Sequence, residues 1–279
     1  VTDENWKNRD GSAARGWLLR GKKGSPAVIL LHKYGADRSY VLNLGVKLSE
    51  ATDFTVLMPD ERGHGPNPPV SYTSFGGCEV EDTLAAIDYL RGLRDSSGDN
   101  LVGEDIGIYG IEMGALAGLA TTAKDQSVKA LVLDSIPARS NDLIDTVINK
   151  RYPFVSSLTA EMAKGGTYLY YASGCYQRSS VCDVAKMVSG RNALLLSGAD
   201  VPALKNSTRS LAGCFPSTTR VRSFTDMANS GYDIVNVSPE KADTYDQKVI
   251  YFFQENLKSP YLREEPAETG PEPAAQPEA

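Results

Sequence analysis

Short β-rich apolar runs alternate with segments of helical period along most of this chain, and that alternation limits its possible folds more than any other feature. Residues 27–31 (AVILL), 54–58, 106–109, 130–133, 193–196 and 221–224 have the length and composition of strands. Between them, Val41, Leu44 and Leu48 recur at helical spacing, and Val80, Leu84, Ile87 and Leu90 mark an amphipathic helix. The Ala/Leu/Gly-rich segment after Gly114 predicts a helix packed close to a sheet, and a further helix is expected near 207–211. Tyr245, Val249, Phe252 and Leu257 line one face of a last helix. Strand, helix and strand in succession predict an α/β fold, a mainly parallel sheet with helices on both faces. In such sheets the functional crevice lies beyond the carboxyl ends of the strands. Residues 16–19, after the Asp10-Gly11 turn, read as an antiparallel edge strand. The alternation lapses over 137–189, which predicts an insertion covering the crevice, a cap.

Composition narrows the function classes. With 41% hydrophobic and 23% charged residues the chain has ample material for a core, and no run approaches the roughly 18 apolar residues of a membrane span. The formal charge of −6 is unevenly placed: residues 264–279 hold five Glu, four Pro and no Lys or Arg. Removing those five from the 35 acids leaves 30 against 29 bases, so the body is nearly neutral. A nucleic-acid footprint needs a net basic face and is not expected. The organisation predicted is one domain over 1–263, with the cap inside it, and a tail over 264–279 too poor in apolar residues to order itself.

Four cysteines, Cys78, Cys175, Cys182 and Cys214, show no CxxC spacing and no neighbouring His, so neither a metal site nor a cofactor is expected. Cys175 and Cys182 bracket a short Gly/Ser/Tyr-rich stretch and are the candidate disulfide; two ordinary thiols are the alternative. The even count and a first residue that is Val rather than Met lean towards an exported protein, periplasmic, extracellular or a membrane-anchored ectodomain, with a cytoplasmic location as the alternative.

The chemistry-bearing motifs follow in a fixed order. Residues 106–114 read IGIYGIEMG, 30–39 read LLHKYGADRS, 59–67 read PDERGHGPN, and 75–90 read FGGCEVEDTLAAIDYL. Together they resemble the α/β-hydrolase superfamily: the strand–elbow–helix of G-x-S-x-G, the loop that supplies an oxyanion-hole amide, the DxRGHG loop and the helix after it. The resemblance implies elbow glycines at Gly110 and Gly114 and oxyanion-loop residues Lys33, Tyr34 and Met113. It also implies triad-equivalent positions at Glu112, Asp200 and Tyr232.

Two of those positions depart from a serine hydrolase, which needs a nucleophile, a base to take its proton and an acid to orient the base. Glu112 stands where the serine would be. Tyr232, in NSGYDIV, stands where the histidine would be, and the only histidines, His32 and His64, both precede residue 65. A phenol with an ordinary pKa near 10 is a poor base at neutral pH. Lys33 replaces the glycine of the oxyanion loop, placing a cation across the crevice from Glu112. The two are expected either to pair or to part, Lys33 reaching outward while Glu112 bonds Tyr232 or backbone amides. The reading is a hydrolase-fold chain with a degenerate triad, predicted not to form a working one, used to bind a protein partner or small ligand. An active ester or peptide hydrolase centred on Glu112 is the alternative.

Overall fold

The computed structural model describes residues 1–152, 154, 156–171 and 174–261. The tail expected to be disordered lies outside the described residues. Among those described, eight strands form one sheet in the order β1-β2-β4-β3-β5-β6-β7-β8. They are β1 (Thr2–Lys7), β2 (Ala13–Leu19), β3 (Ser25–Leu31), β4 (Thr55–Pro59), β5 (Val102–Ile111), β6 (Val128–Asp134), β7 (Asn192–Gly198) and β8 (Arg220–Met227). From β4 to β8 every neighbouring pair is parallel; β2 runs antiparallel to both β1 and β4. The expected antiparallel strand is therefore present, but it is not the edge. The edge is β1, TDENWK, whose side chains are mostly exposed and carry no apolar alternation.

The helices are α1 (Leu42–Thr52), α2 (Glu79–Gly92), α3 (Met113–Lys124), α4 (Ser140–Arg151), α5 (Ser156–Tyr170), α6 (Val181–Ala185), α7 (Pro202–Leu211) and α8 (Pro239–Asn256). Strand side chains alternate between faces, so the fully buried β3 feeds two layers. Ile29 and Leu31 pack with α2 and α3, through Leu84, Ile87, Leu116 and Leu119. Val28 and Leu30 pack on the other side with Leu44 and Leu48 of α1 and Val249 and Phe253 of α8. Each such side chain contributes about 1.5–3 kcal/mol by leaving water. The segment expected to be a cap runs from β6 to β7 through α4, α5 and α6.

Two disulfides join Cys78 to Cys175 and Cys182 to Cys214. The expected Cys175–Cys182 bridge is thus corrected: both residues are paired, but to other partners. The reason is a tertiary approach that spacing does not encode. A Cβ on Gly77 would sit 2.2 Å from the Cys175 carbonyl oxygen, so the two backbones meet at the start of α2 because residue 77 has no side chain. Cys182 sits on α6, which packs beside the short turn holding Cys214.

Candidate functional site

The site forms where four loops leave the carboxyl ends of parallel strands. Lys33 and Tyr34 follow β3, Glu112 follows β5, Asp200 follows β7 and Tyr232 follows β8.

Glu112 occupies a strained turn, φ 51° and ψ −102°, between β5 and α3. A non-glycine residue there costs on the order of 1–3 kcal/mol and persists only where its surroundings impose it. They do so here. A Cβ at Gly110 would lie 2.3 Å from the Gly114 carbonyl oxygen, and one at Gly114 would lie 2.7 Å from that of His32. No larger residue fits at either flank, so the elbow is built even though its apex is not serine.

The Glu112 side chain is only 2% exposed. Its Oε2 accepts the backbone N–H of Tyr34, in the loop after β3, at 3.0 Å. The Tyr232 phenol lies beside this carboxylate. Burial, and then the nearby Glu112 charge, push that phenol up to about 12. The same two causes raise the Tyr34 phenol. The position at the head of α3 favours a negative charge as well.

Lys33 points inward. Its Nζ donates to the Tyr232 carbonyl at 2.6 Å and lies over the Tyr232 and Tyr40 rings, 4.1 and 4.8 Å from their centroids. Tyr40 donates to the same carbonyl at 2.6 Å. Tyr232 thus touches both replacements, Glu112 through its hydroxyl and Lys33 through its ring and carbonyl.

Asp200 faces the turn after β8. It accepts the Ser230 backbone N–H at 3.0 Å and the Ser230 hydroxyl at 2.8 Å, and Ser230 in turn accepts the Tyr232 N–H at 3.2 Å. Asp200 thus holds the turn that carries Tyr232. A second carboxylate, which sequence reasoning missed, holds that turn from below. Asp134, at the end of β6, accepts the Gly231 N–H at 2.8 Å, the Tyr245 hydroxyl at 2.7 Å and the Ser135 hydroxyl at 2.6 Å. Burial raises its pKa to about 6. Its signal in the sequence was an acid closing the apolar run ALVL.

Met113 begins α3, fully buried, its sulfur accepting the Thr73 hydroxyl at 3.3 Å. Both histidines bond loop carbonyls through Nδ1, His64 that of Arg62 at 2.9 Å. His32 donates from Nδ1 to the Lys33 carbonyl and accepts the Glu61 N–H on Nε2. Burial lowers its pKa to about 4, so the ring is neutral. His64 packs edge-on to His32 and Tyr34. In the acidic segment 79–82, Glu79 accepts four bonds, from the Thr73 hydroxyl and from Ser74 and Gly76, and Asp82 pairs with Arg62. These carboxylates brace loops. Among the described residues no group of His, Cys, Asp and Glu is arranged to hold a metal ion. The Tyr171 ring is a packing residue whose hydroxyl donates to the Thr73 carbonyl at 2.7 Å.

The architecture is shared with known proteins. Esterase Pf2001 of Pyrococcus furiosus superposes with a TM-score of 0.69 at 18% identity, covering 92% of this chain and 90% of that one. The α/β hydrolase GrgF of Penicillium sp. sh18 superposes with a TM-score of 0.62 at 17% identity, covering 91% and 98%. This chain has the α/β-hydrolase fold. In sequence, the α/β-hydrolase-fold chain is 22% identical over 159 residues to thiohydrolase aneE of Aspergillus aculeatus. That match spans 54% of this chain and about half, 48%, of the relative's length. No protein-family profile matches the chain. Among the described residues no helix is long and apolar enough to cross a membrane.

Proposed function

We propose that this α/β-hydrolase-fold chain is a pseudoenzyme, a scaffold that binds a protein partner or small ligand without hydrolysing it. One observation carries the reading: the Tyr34 amide, the donor an acyl oxyanion would need, is bonded to the carboxylate at the elbow apex. The surroundings agree. The residue in the base position is a phenol pushed up to about 12, and the acid position is bonded to Ser230. An oxyanion hole without nucleophile and base would retain only residual catalysis even if it were vacated.

The alternative, an active hydrolase of ester or peptide bonds centred on Glu112, has two supports. The strained elbow is intact, and the chain is similar to proteins described as an esterase and a thiohydrolase. Under that reading Glu112 would attack or activate water, and thioesters join esters as substrates. Export is part of the proposal too, because all four cysteines are in disulfides.

Turnover of p-nitrophenyl esters and acyl thioesters by the purified chain separates the readings. The scaffold account expects rates equal to those of Glu112→Gln at every chain length. Turnover that Glu112→Gln abolishes would establish the enzyme.

A further inference from the structure

We infer that the cradle around Glu112 is a carboxylate receptor whose resident ligand is the chain's own side chain, and that a ligand bearing a free carboxylate competes for the same place. This deepens the scaffold reading and rests on Glu112 being a filler of the crevice rather than a nucleophile.

A backbone amide and a phenol meet the Glu112 carboxylate. The Tyr34 backbone N–H donates to Oε2 at 3.0 Å, and the Tyr232 hydroxyl lies beside the carboxylate. The Lys33 ammonium is fixed in the same cluster by the Tyr232 carbonyl and by two aromatic faces. The head of α3 adds its partial positive charge. A backbone amide, a hydroxyl and a helix N-terminus are donors or positive ends, with the Lys33 charge held on the same Tyr232, and a planar anion with two acceptor oxygens is what they complement. The Tyr34 amide is set by the backbone of its loop. The Tyr232 turn is held by Asp200 through Ser230, by Asp134 through Gly231 and by Tyr40 at its carbonyl. The backbones that carry these groups are thus held independently of Glu112.

Size defines the ligand further. Shortening Glu112 to Ala removes an acetate-equivalent fragment, the γ-methylene with its carboxylate. Acetate therefore fits the space released, formate underfills it, and a bulky aromatic acid does not enter without moving Tyr232. In the wild-type chain the cradle is closed, with Glu112 2% exposed, so a carboxylate ligand binds only in the fraction of molecules whose Glu112 has swung away. Its apparent affinity is reduced by that fraction. The natural ligand class is accordingly a carboxylate on a larger body, a small organic acid or a peptide C-terminus, with contacts elsewhere that offset the displacement of Glu112.

Calorimetric titration of acetate into the wild-type chain, Glu112→Ala, Glu112→Gly and Glu112→Gln tests this. Glycine suits the positive φ and serves if the Ala variant does not fold. The expected result is saturable acetate binding to the shortened variants at least about tenfold tighter than to the wild-type chain. Glu112→Gln, which still fills the cradle, should bind no better than wild type. Acetamide, of the same shape without the charge, should bind at least about tenfold more weakly than acetate. A folded Glu112→Gly that binds acetate no better than wild type overturns the inference, and so does acetamide binding as tightly as acetate. Ester turnover by the wild-type chain would remove the scaffold reading without altering the acetate titration, so the two failures are distinguishable.

Discussion

The backbone amide of Tyr34 points at Oε2 of Glu112 from 3.0 Å, so the residue on the strained turn engages the amide that the proposed reading assigns to an acyl oxygen. A residue kept for catalysis is commonly a stability liability, whereas one that fills a crevice and satisfies its donors stabilises the fold. The sign of the stability change on removing Glu112 therefore reports on function.

Glu112→Ala is expected to destabilise the chain by about 1–3 kcal/mol, because it strips the Tyr34 amide and Tyr232 hydroxyl of a charged acceptor. Glu112→Gly should lose less, by about 1 kcal/mol, since glycine relieves the strain of φ 51°. Urea unfolding measures both. Variants more stable than wild type would point to a residue held in place for catalysis.

The elbow glycines should be irreplaceable whatever stands at the apex. Gly110→Ala puts a methyl 2.3 Å from a backbone oxygen and should cost at least about 3 kcal/mol or prevent folding. Gly92→Ala, near the end of α2 with nothing within 4 Å of the added carbon, should be neutral or stabilising by up to about 1 kcal/mol. Equal losses at both positions would mean that the close approach at the elbow is not real.

Two buried groups set opposite limbs of a pH–stability curve. His32 is neutral in the fold, its pKa lowered by burial to about 4, while the unfolded ring takes a proton near 6.5. Its contribution, about 3 kcal/mol, is full above pH 6.5 and fades as pH falls towards 4. Glu61 is the reverse. Burial, with the charges of Glu79, Asp82 and Glu112 around it, raises its carboxyl well above the usual range, and neither oxygen has a hydrogen-bond partner among the described residues. That contribution is full below the ordinary Glu value and is lost as pH rises through the raised one. Glu61→Gln should therefore match or exceed wild type in thermal melts at pH 8 and lose that advantage near pH 4. A deficit that grows with pH would show that Glu61 is ionised and paired in the fold.

The two disulfides staple the segment between β6 and β7 to different parts of the sheet domain. Cys78–Cys175 closes 97 residues and Cys182–Cys214 closes 32. Chain-entropy scaling gives about 4.7 and 3.7 kcal/mol for loops of those sizes, so Cys78→Ser should lower the melting temperature more than Cys214→Ser. Non-reducing peptide mapping checks the pairing itself, and a Cys175–Cys182 peptide would contradict it.

Much of this was legible in the sequence because the constraints involved are local. Continuous apolar runs and apolar residues at helical period located the sheet and its helices, because both patterns are local, and the elbow was legible through the resemblance that its paired glycines carry, although Gly114 is held by the distant His32 backbone. What escaped depends on who meets whom. β1 carries no apolar pattern because it is an edge strand with one open side. The cysteine pairing is decided at Gly77, where two distant backbones touch. Asp200 was placed at the right strand end, but its commitment to Ser230 follows from the turn after β8, and Asp134 gave only the signal of an acid ending an apolar strand. Glu112 meeting Tyr232 or a backbone amide was one of the two expectations; that Lys33 turns inward onto the same Tyr232 is a tertiary fact.

The account depends most on where the Glu112 carboxylate lies. A crystal structure of the wild-type chain at neutral pH, refined far enough to place that side chain, measures it directly. The account predicts the carboxylate seated within about 3 Å of the Tyr34 nitrogen, in hydrogen-bond reach of the Tyr232 hydroxyl. A Glu112 turned out to solvent, with water bonded to the Tyr34 amide in its place, would contradict the account and reopen the site to chemistry.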